Sequence, residues 1–311
     1  MKIFRQIGYV FGAVFVAAVM AVFGLNAEPV LAEDTPEYRL QISPAKQDIG
    51  ELKPGETKTG EFKVQNTGTK EFSFKVGVFP YTVSDENYTP NYDETSKYTD
   101  IANWVTFSQD DGSVEPGKEV VITFTVKVPK DVPAGGQYAI LAAETTGDEN
   151  TSGGTGIVAV RRVGMLLYSE VEGNTRRTGS IEENNIPSIL FNPPISGTSI
   201  VENTGNVHTQ AEYIMQVFPL FSDEEVYTNE ENPVTLTILP ETRRFNTVSW
   251  DGAPRLGIFR VKQTVKIFDE VSVTEKLVFL CPIWFLFIVV ALIFFVIIWA
   301  VMRMRGRGKN E

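Results

Sequence analysis

Apolar and polar residues alternate with period two along most of the chain. Glu61-Phe62-Lys63-Val64-Gln65 is one such run and Val120–Val128 is another; Thr235–Ile238 and Val261–Phe268 repeat the pattern. Alternation rich in β-branched residues predicts half-buried strands with one packed face and one wet face. Turn chemistry separates the runs: Lys53-Pro54-Gly55-Glu56, Glu115-Pro116-Gly117-Lys118, Asn66-Thr67-Gly68 and Asp251-Gly252. No long amphipathic helix stands out between Glu33 and Lys276. Many short strands with regular turn signals predict an all-β fold of immunoglobulin-like sandwiches.

The pattern changes at both ends. Lys2 and Arg5 precede an apolar run from about Val10 to Leu25, which closes with Val30-Leu31-Ala32. This predicts a signal peptide over 1–32, with Ala27 as a second cleavage point and an uncleaved anchor as the alternative. No cysteine follows the run, so it is not a lipoprotein signal. At the other end, Leu277–Met302 holds no charged residue. About 26 helical residues span about 39 Å, enough to cross a hydrocarbon core of about 30 Å. A transmembrane helix is expected over 277–302, with Trp284 and Trp299 near the headgroups and Pro282 in the first turn. Arg303, Arg305, Arg307 and Lys309 form a basic tail over 303–311, which the positive-inside rule places in the cytoplasm. Leu239-Pro240-Glu241-Thr242 is followed by Arg243, where a cell-wall sorting motif needs glycine, so sortase anchoring is excluded.

Three motifs occur twice in the same order. Val-x-Asn-Thr-Gly stands at Val64–Gly68 and Val201–Gly205, and Val-Phe-Pro at Val78–Pro80 and Val217–Pro219. Pro-x-x-Gly-x-aromatic stands at Pro133–Tyr138 and Pro254–Phe259. Three ordered repeats predict two homologous domains, over about 36–172 and 176–276. Asn-Thr-Gly reads as a hairpin closed by a glycine of positive φ, and Val-Phe-Pro as the end of the following strand. The spacing from the second motif to the third is 53 positions in the first half (133 − 80) and 35 in the second (254 − 219). The first domain therefore carries 18 extra residues (53 − 35), best placed in Ser84–Asn103. That stretch holds Tyr88, Tyr92 and Tyr98, with Tyr81 just before and Trp104 just after. Tyrosine among Asn, Ser and Thr is the composition of recognition loops, so these five residues are the candidate partner-binding loop. A solvated loop pinned by one or two tyrosines is the plainer reading.

Ile42-Ser43-Pro44-Ala45-Lys46-Gln47, Lys53-Pro54-Gly55-Glu56, Phe62–Gly68 and Val78-Phe79-Pro80 together resemble the N-terminal domain of WxL-interacting proteins. That family comprises bacterial cell-surface proteins with a signal peptide, two immunoglobulin-like domains, one C-terminal transmembrane helix and a basic tail. The resemblance implies a surface role, with peptidoglycan binding linked to the first domain and partner or host proteins to the second. The partners so implied are a cell-wall polymer or another surface protein.

Composition narrows the chemistry. The formal charge is −11, and residues 33–276 alone carry 22 basic and 37 acidic side chains, a balance of −15. This argues against nucleic acid as a partner. One cysteine and one histidine rule out a disulfide framework and multi-histidine metal sites. His208 reads as a surface strand histidine rather than a general base, since no Gly-x-Ser-x-Gly elbow accompanies it. Cys281 reads as a small apolar residue at the membrane edge. The acidic groups Asp110-Asp111, Asp148-Glu149-Asn150 and Asp223-Glu224-Glu225 lack the spacing of a calcium loop and read as solvated charge. Gly147–Gly156 lacks the lysine of a phosphate loop and reads as a flexible connection. No catalytic residue, metal or cofactor is expected. The chain reads as a non-catalytic, membrane-anchored binding or scaffold protein, or alternatively as a surface-assembly accessory acting by β-strand complementation.

Overall fold

The computed structural model describes residues 38–146 and 160–307, with side chains to Trp299 in the terminal helix. The expected signal peptide and the glycine-rich stretch 147–156 lie outside the described residues. Among these residues the alternating runs fold as strands in the expected phase. Within Thr57–Asn66, Phe62 and Val64 point inward and are buried, while Glu61 between Gly60 and Phe62 is exposed.

The first half contains β1 (Leu40–Ser43), β2 (Lys46–Leu52), β3 (Thr57–Asn66), β4 (Phe72–Pro80), β5 (Thr82–Val83), β6 (Pro90–Asn91), β7 (Val105–Phe107), β8 (Asp111–Val114), β9 (Glu119–Lys127), β10 (Gly135–Thr146) and β11 (Arg162–Val171). One sheet has the order β1-β3-β9-β7 and the facing sheet β2-β11-β10-β4-β8. The chain changes sheets at Pro44-Ala45: β1 pairs antiparallel with β3, and β2 runs parallel to β11. Phe62, Phe74, Phe124, Leu141 and Met165 fill the space between the sheets.

The second half contains β12 (Gly179–Asn185), β13 (Ile189–Leu190), β14 (Ile195–Asn203), β15 (Thr209–Pro219), β16 (Tyr227–Thr228), β17 (Val234–Ile238), β18 (Thr242–Trp250), β19 (Gly257–Ile267) and β20 (Glu270–Leu280). Its sheets are β12-β14-β18 and β13-β20-β19-β15-β16, with β17 also on β15. The same change of sheet recurs, with β12 antiparallel to β14 and β13 parallel to β20. No sheet among the described residues mixes strands up to β11 with strands from β12 onward. Among the described residues the chain is all-β across these two sandwiches, apart from a 3-10 turn at Asp100–Asn103 and helix α1 (Ile283–Arg307).

The repeated motifs occupy equivalent places, and their roles are now physical. Asn-Thr-Gly is not a hairpin, because β3 and β4 lie in different sheets, as do β14 and β15. It is a crossover between sheets, held by a buried asparagine. Asn66 Nδ2 donates to the Lys70 and Val114 carbonyls, and Gly68 N–H donates back to Asn66 Oδ1. Asn203 repeats the set with the Val207 and Ile238 carbonyls and Gly205 N–H. Neither glycine has a positive φ; at Gly205 a Cβ would meet the Arg176 carbonyl oxygen at 2.3 Å. In Pro-x-x-Gly-x-aromatic, glycine and ring are two apart and share a face. A Cβ on Gly136 would strike the Tyr138 hydroxyl at 1.8 Å, and one on Gly257 the Phe259 ring at 2.6 Å. The glycine is the seat over which the ring folds back.

The expected helix over 277–302 starts later than its apolar composition implies. Leu277–Leu280 finish β20, paired with Arg260–Gly257, and α1 starts at Ile283 just after Pro282. Val278 and Leu280 point into the core while Leu277 and Phe279 point out, so the whole run is apolar although it is a strand. Over the described residues no helix is long and apolar enough to cross a membrane. In α1 the described side chains end at Trp299 and are apolar on every side, with Phe287 at 70% exposure and Phe295 at 65%.

Candidate functional site

The extra segment of the first sandwich is an ordered arm. Thr82–Val83 and Pro90–Asn91 pair as a small hairpin. Asp85 closes its turn, accepting from Thr89 N–H at 3.0 Å and from Thr89 Oγ1 at 2.9 Å; these bonds hold its carboxyl below the ordinary range. The second half of the arm is tied to β10. Buried Gln137 donates to the Lys97 carbonyl and accepts from Ile101 N–H, and Tyr138 N–H donates to the Tyr98 carbonyl at 2.7 Å.

The five candidate residues separate into three places. Trp104 is buried in the core of the first sandwich. Tyr81 and Tyr88 are buried where the two sandwiches meet, and Tyr98 packs against them half-buried. Only Tyr92, at 39%, is exposed. Three of the five are thus closed to a partner, because the second sandwich or the core already covers them.

The meeting of the sandwiches is built from both halves. Tyr88 has φ 63 and projects into the β17–β18 corner. Its hydroxyl accepts from Leu239 N–H at 2.8 Å and lies 2.5 Å from Thr242 Oγ1. Thr242 spends its own proton on the Leu239 carbonyl, so Tyr88 is the donor to Thr242. The Arg244 guanidinium sits 4.1 Å from the Tyr88 ring centre. Phe245 N–H donates to the Glu86 carbonyl, Lys97 pairs with Glu241 at 2.8 Å, and Arg243 bridges Glu86 and Glu182.

His208 stands at the same junction and not on an open strand surface. Its ring meets Tyr138 and Tyr168 edge-on at 5.6 and 5.2 Å, and Nε2 lies 3.5 Å from Asp48 Oδ2. Its main-chain N–H donates to the Tyr138 hydroxyl at 2.8 Å, while Nδ1 is 3.3 Å from the same oxygen. Burial lowers the His208 pKa, with Asp48 pulling the other way; burial raises the pKa of Tyr88, Tyr138 and Tyr168. Gly135, at φ 137, lets the second sandwich approach: a Cβ there would lie 2.8 Å from the Asn206 carbonyl oxygen, which accepts from Gly136 N–H. Sequence reasoning passed over this role of Tyr138 and His208. The signal was the third motif, which ends in Tyr in one copy and Phe in the other, because a buried hydroxyl needs a partner.

A surface groove runs from this junction along the outer face of β11, β10 and β4, under the arm. Phe79, Tyr92, Ile140, Ala142 and Leu166 line it, with Arg162 towards one end, and its volume is about 710 Å³. Arg162 lies over the Phe79 ring at 4.2 Å and pairs with Glu144. A mostly apolar trough with one charged end and a tyrosine on its rim can take an elongated ligand with an apolar or ring face. Among the described residues, no group of three His, Cys, Asp or Glu side chains is placed to hold a metal ion.

No family model matches the chain, and no curated protein matches it. Solved structures with a similar β architecture include the class 5 fimbriae chaperone CfaA, at 13% identity, 76% of this chain, 99% of that chain and TM-score 0.38. The Escherichia coli chaperone DraB gives 8% identity, 77% and 97% coverage and TM-score 0.37. The Acinetobacter baumannii CsuC–CsuE chaperone–adhesion subunit complex gives 12% identity, 76% and 98% coverage and TM-score 0.37. Overlap this loose fixes no residue correspondence with any of them.

Proposed function

We propose that the protein is a membrane-anchored, non-catalytic surface scaffold whose first sandwich holds a cell-wall polymer or a surface protein in the groove beneath the arm. Two domains, with their boundary between β11 and β12, act as one rigid mount. The observation that carries this reading is the arm: its tyrosines Tyr81 and Tyr88 are spent on locking the sandwiches together, while Tyr92 alone overhangs an open groove. This plan agrees with that of the WxL-interacting proteins. The anchor is α1. A helix apolar on all sides, with its side chains exposed, has no place in water. Its sequence stays free of charge to Met302 and turns basic after it, the pattern of a span with the tail on the cytoplasmic side and the sandwiches outside the cell.

Co-sedimentation with purified cell walls, and cross-linking on intact cells, test the groove. Tyr92→Ala and Arg162→Ala are expected to lose most of the bound fraction while leaving the folded state intact. Tyr92→Ala binding as well as the parent to every partner recovered would overturn the assignment. Strand complementation asks for a free first or last strand. Here β20 pairs with β19 along its length and with β13 at Phe279 and Leu280, whereas β1, the first strand, pairs on one side only, with β3. Strand addition would use such an edge, β1 or β8, the latter paired only with β4.

A further inference from the structure

The end of the second sandwich nearest α1 carries an apolar rim. Ile189, Phe279 and Ile258 stand directly opposite one another on β13, β20 and β19, all pointing outward and exposed. Leu256 precedes β19, and Phe221 follows β15, whose last residue Pro219 pairs with Phe259 of β19. Phe221 is 96% exposed. Soluble surfaces seldom gather such a patch without an occupant.

The chain itself says what the occupant is. Only Cys281 and Pro282 separate Leu280 of β20 from Ile283 of α1. Two residues reach about 7 Å at most. Even this link is pinned, since Cys281 N–H donates to the Leu190 carbonyl at 2.9 Å and Phe285 N–H to the Pro282 carbonyl at 2.9 Å. If α1 crosses a bilayer, the rim has no slack with which to stand away from it. We infer that Phe221, Leu256, Ile258, Ile189 and Phe279 form a seat that rests in the headgroup boundary of the membrane holding α1. This rests on the proposed span. Apolar side chains in that boundary bury about 5–10 Å deep. The nearby acidic turn favours zwitterionic over anionic lipid: Asp223 is paired with Arg260 at 2.6 Å, but Glu224 adds to the negative charge of the turn.

The test uses the full chain in phosphatidylcholine vesicles, with Cys281→Ser removing the native thiol. An environment-sensitive fluorophore is placed by Phe221→Cys, Ile258→Cys, Val271→Cys or Phe294→Cys, and spin-labelled lipids serve as quenchers. Val271 is the control: it is exposed, sits at the other end of β20 and is paired with Lys266. Labels at 221 and 258 should be quenched several-fold more than at 271, by shallow quenchers, and the label at 294 by deep ones. Quenching at 294 with 221 no better quenched than 271 overturns the seat and leaves the span standing. No quenching at 294 overturns both. Energy transfer between copies at 221 without lipid quenching assigns the rim to self-association and also overturns the seat. Phe221 packs against little, so its substitution leaves the fold as a constant.

Discussion

Tyr88 and His208 show what single side chains do at the junction. Tyr88 holds a left-handed backbone, costing about 1–2 kcal/mol for a residue with a Cβ, so its bonds must hold it there. Tyr88→Phe keeps the ring under Arg244 but leaves Leu239 N–H buried without an acceptor. The expected loss is about 1–3 kcal/mol, read as a lower urea midpoint. For His208, the Tyr138 hydroxyl accepts from the main-chain N–H, and Nδ1 at 3.3 Å is the acceptor within reach of its own proton. The ring proton then sits on Nε2, facing Asp48. Burial lowers the folded pKa below the ordinary 6.5, so the unfolded chain takes up protons first. This contribution to stability is complete above the ordinary value and is lost as pH falls through the lowered one. His208→Gln should flatten the fall in urea midpoint between about pH 7 and pH 5.5 relative to the parent. Equal slopes for the two proteins would show that His208 does not titrate at a closed junction.

At the scale of the element, β3 and β10 in the first sandwich and β14 and β19 in the second are braced by residues the repeat picks out twice. Asn203→Asp places a carboxylate against the Val207 and Ile238 carbonyls and removes the donor to both. It should destabilise more than Asn203→Ala, which is expected to cost about 1–3 kcal/mol for each carbonyl left unpaired. Thermal melting of the two variants gives the order, and equal melting points would argue against the bracing role. Gly257→Ala forces the Phe259 ring off its seat and is expected to cost about 1–3 kcal/mol. Phe259→Leu in the same chain should recover part of that loss, because the clash is with the ring; a double-mutant cycle without coupling removes the explanation. The strands were legible because Phe62 and Val64, with Glu61 between Gly60 and Phe62, report their faces one residue at a time. The repeat was legible for the same reason. What Asn66 and Asn203 hold together was not, since Val114 and Ile238 reach them only through tertiary folding. The start of α1 was misplaced because Leu277-Val278-Phe279-Leu280 is apolar on both faces, which erases period two. Tyr92, Tyr81 and Tyr88 look alike in sequence, and only the position of the second sandwich decides which of them is left exposed.

Across the whole molecule, the consequence of the junction is cooperativity. The buried cluster that fills the second sandwich continues through Tyr88, Tyr81, Tyr168 and Tyr138 into the first. Separate bonds and ring contacts would not make two domains rigid if they lay on the rim, where an exposed pair such as Lys97–Glu241 contributes at most about 1 kcal/mol. Here the buried tyrosines carry the coupling. The two sandwiches should therefore unfold in one urea transition followed alike by Trp104 and Trp250, which report the first and second halves. Tyr88→Ala with His208→Ala takes the Tyr88 and His208 contacts out of the joint while leaving every strand residue of both sandwiches unchanged, and the single transition should split, with the Trp104 and Trp250 signals moving apart. Two separate transitions in the parent protein would show a hinged pair instead. A hinged pair would remove the reason for the arm, whose tyrosines, buried against the second sandwich, hold Tyr92 at a constant place above the groove.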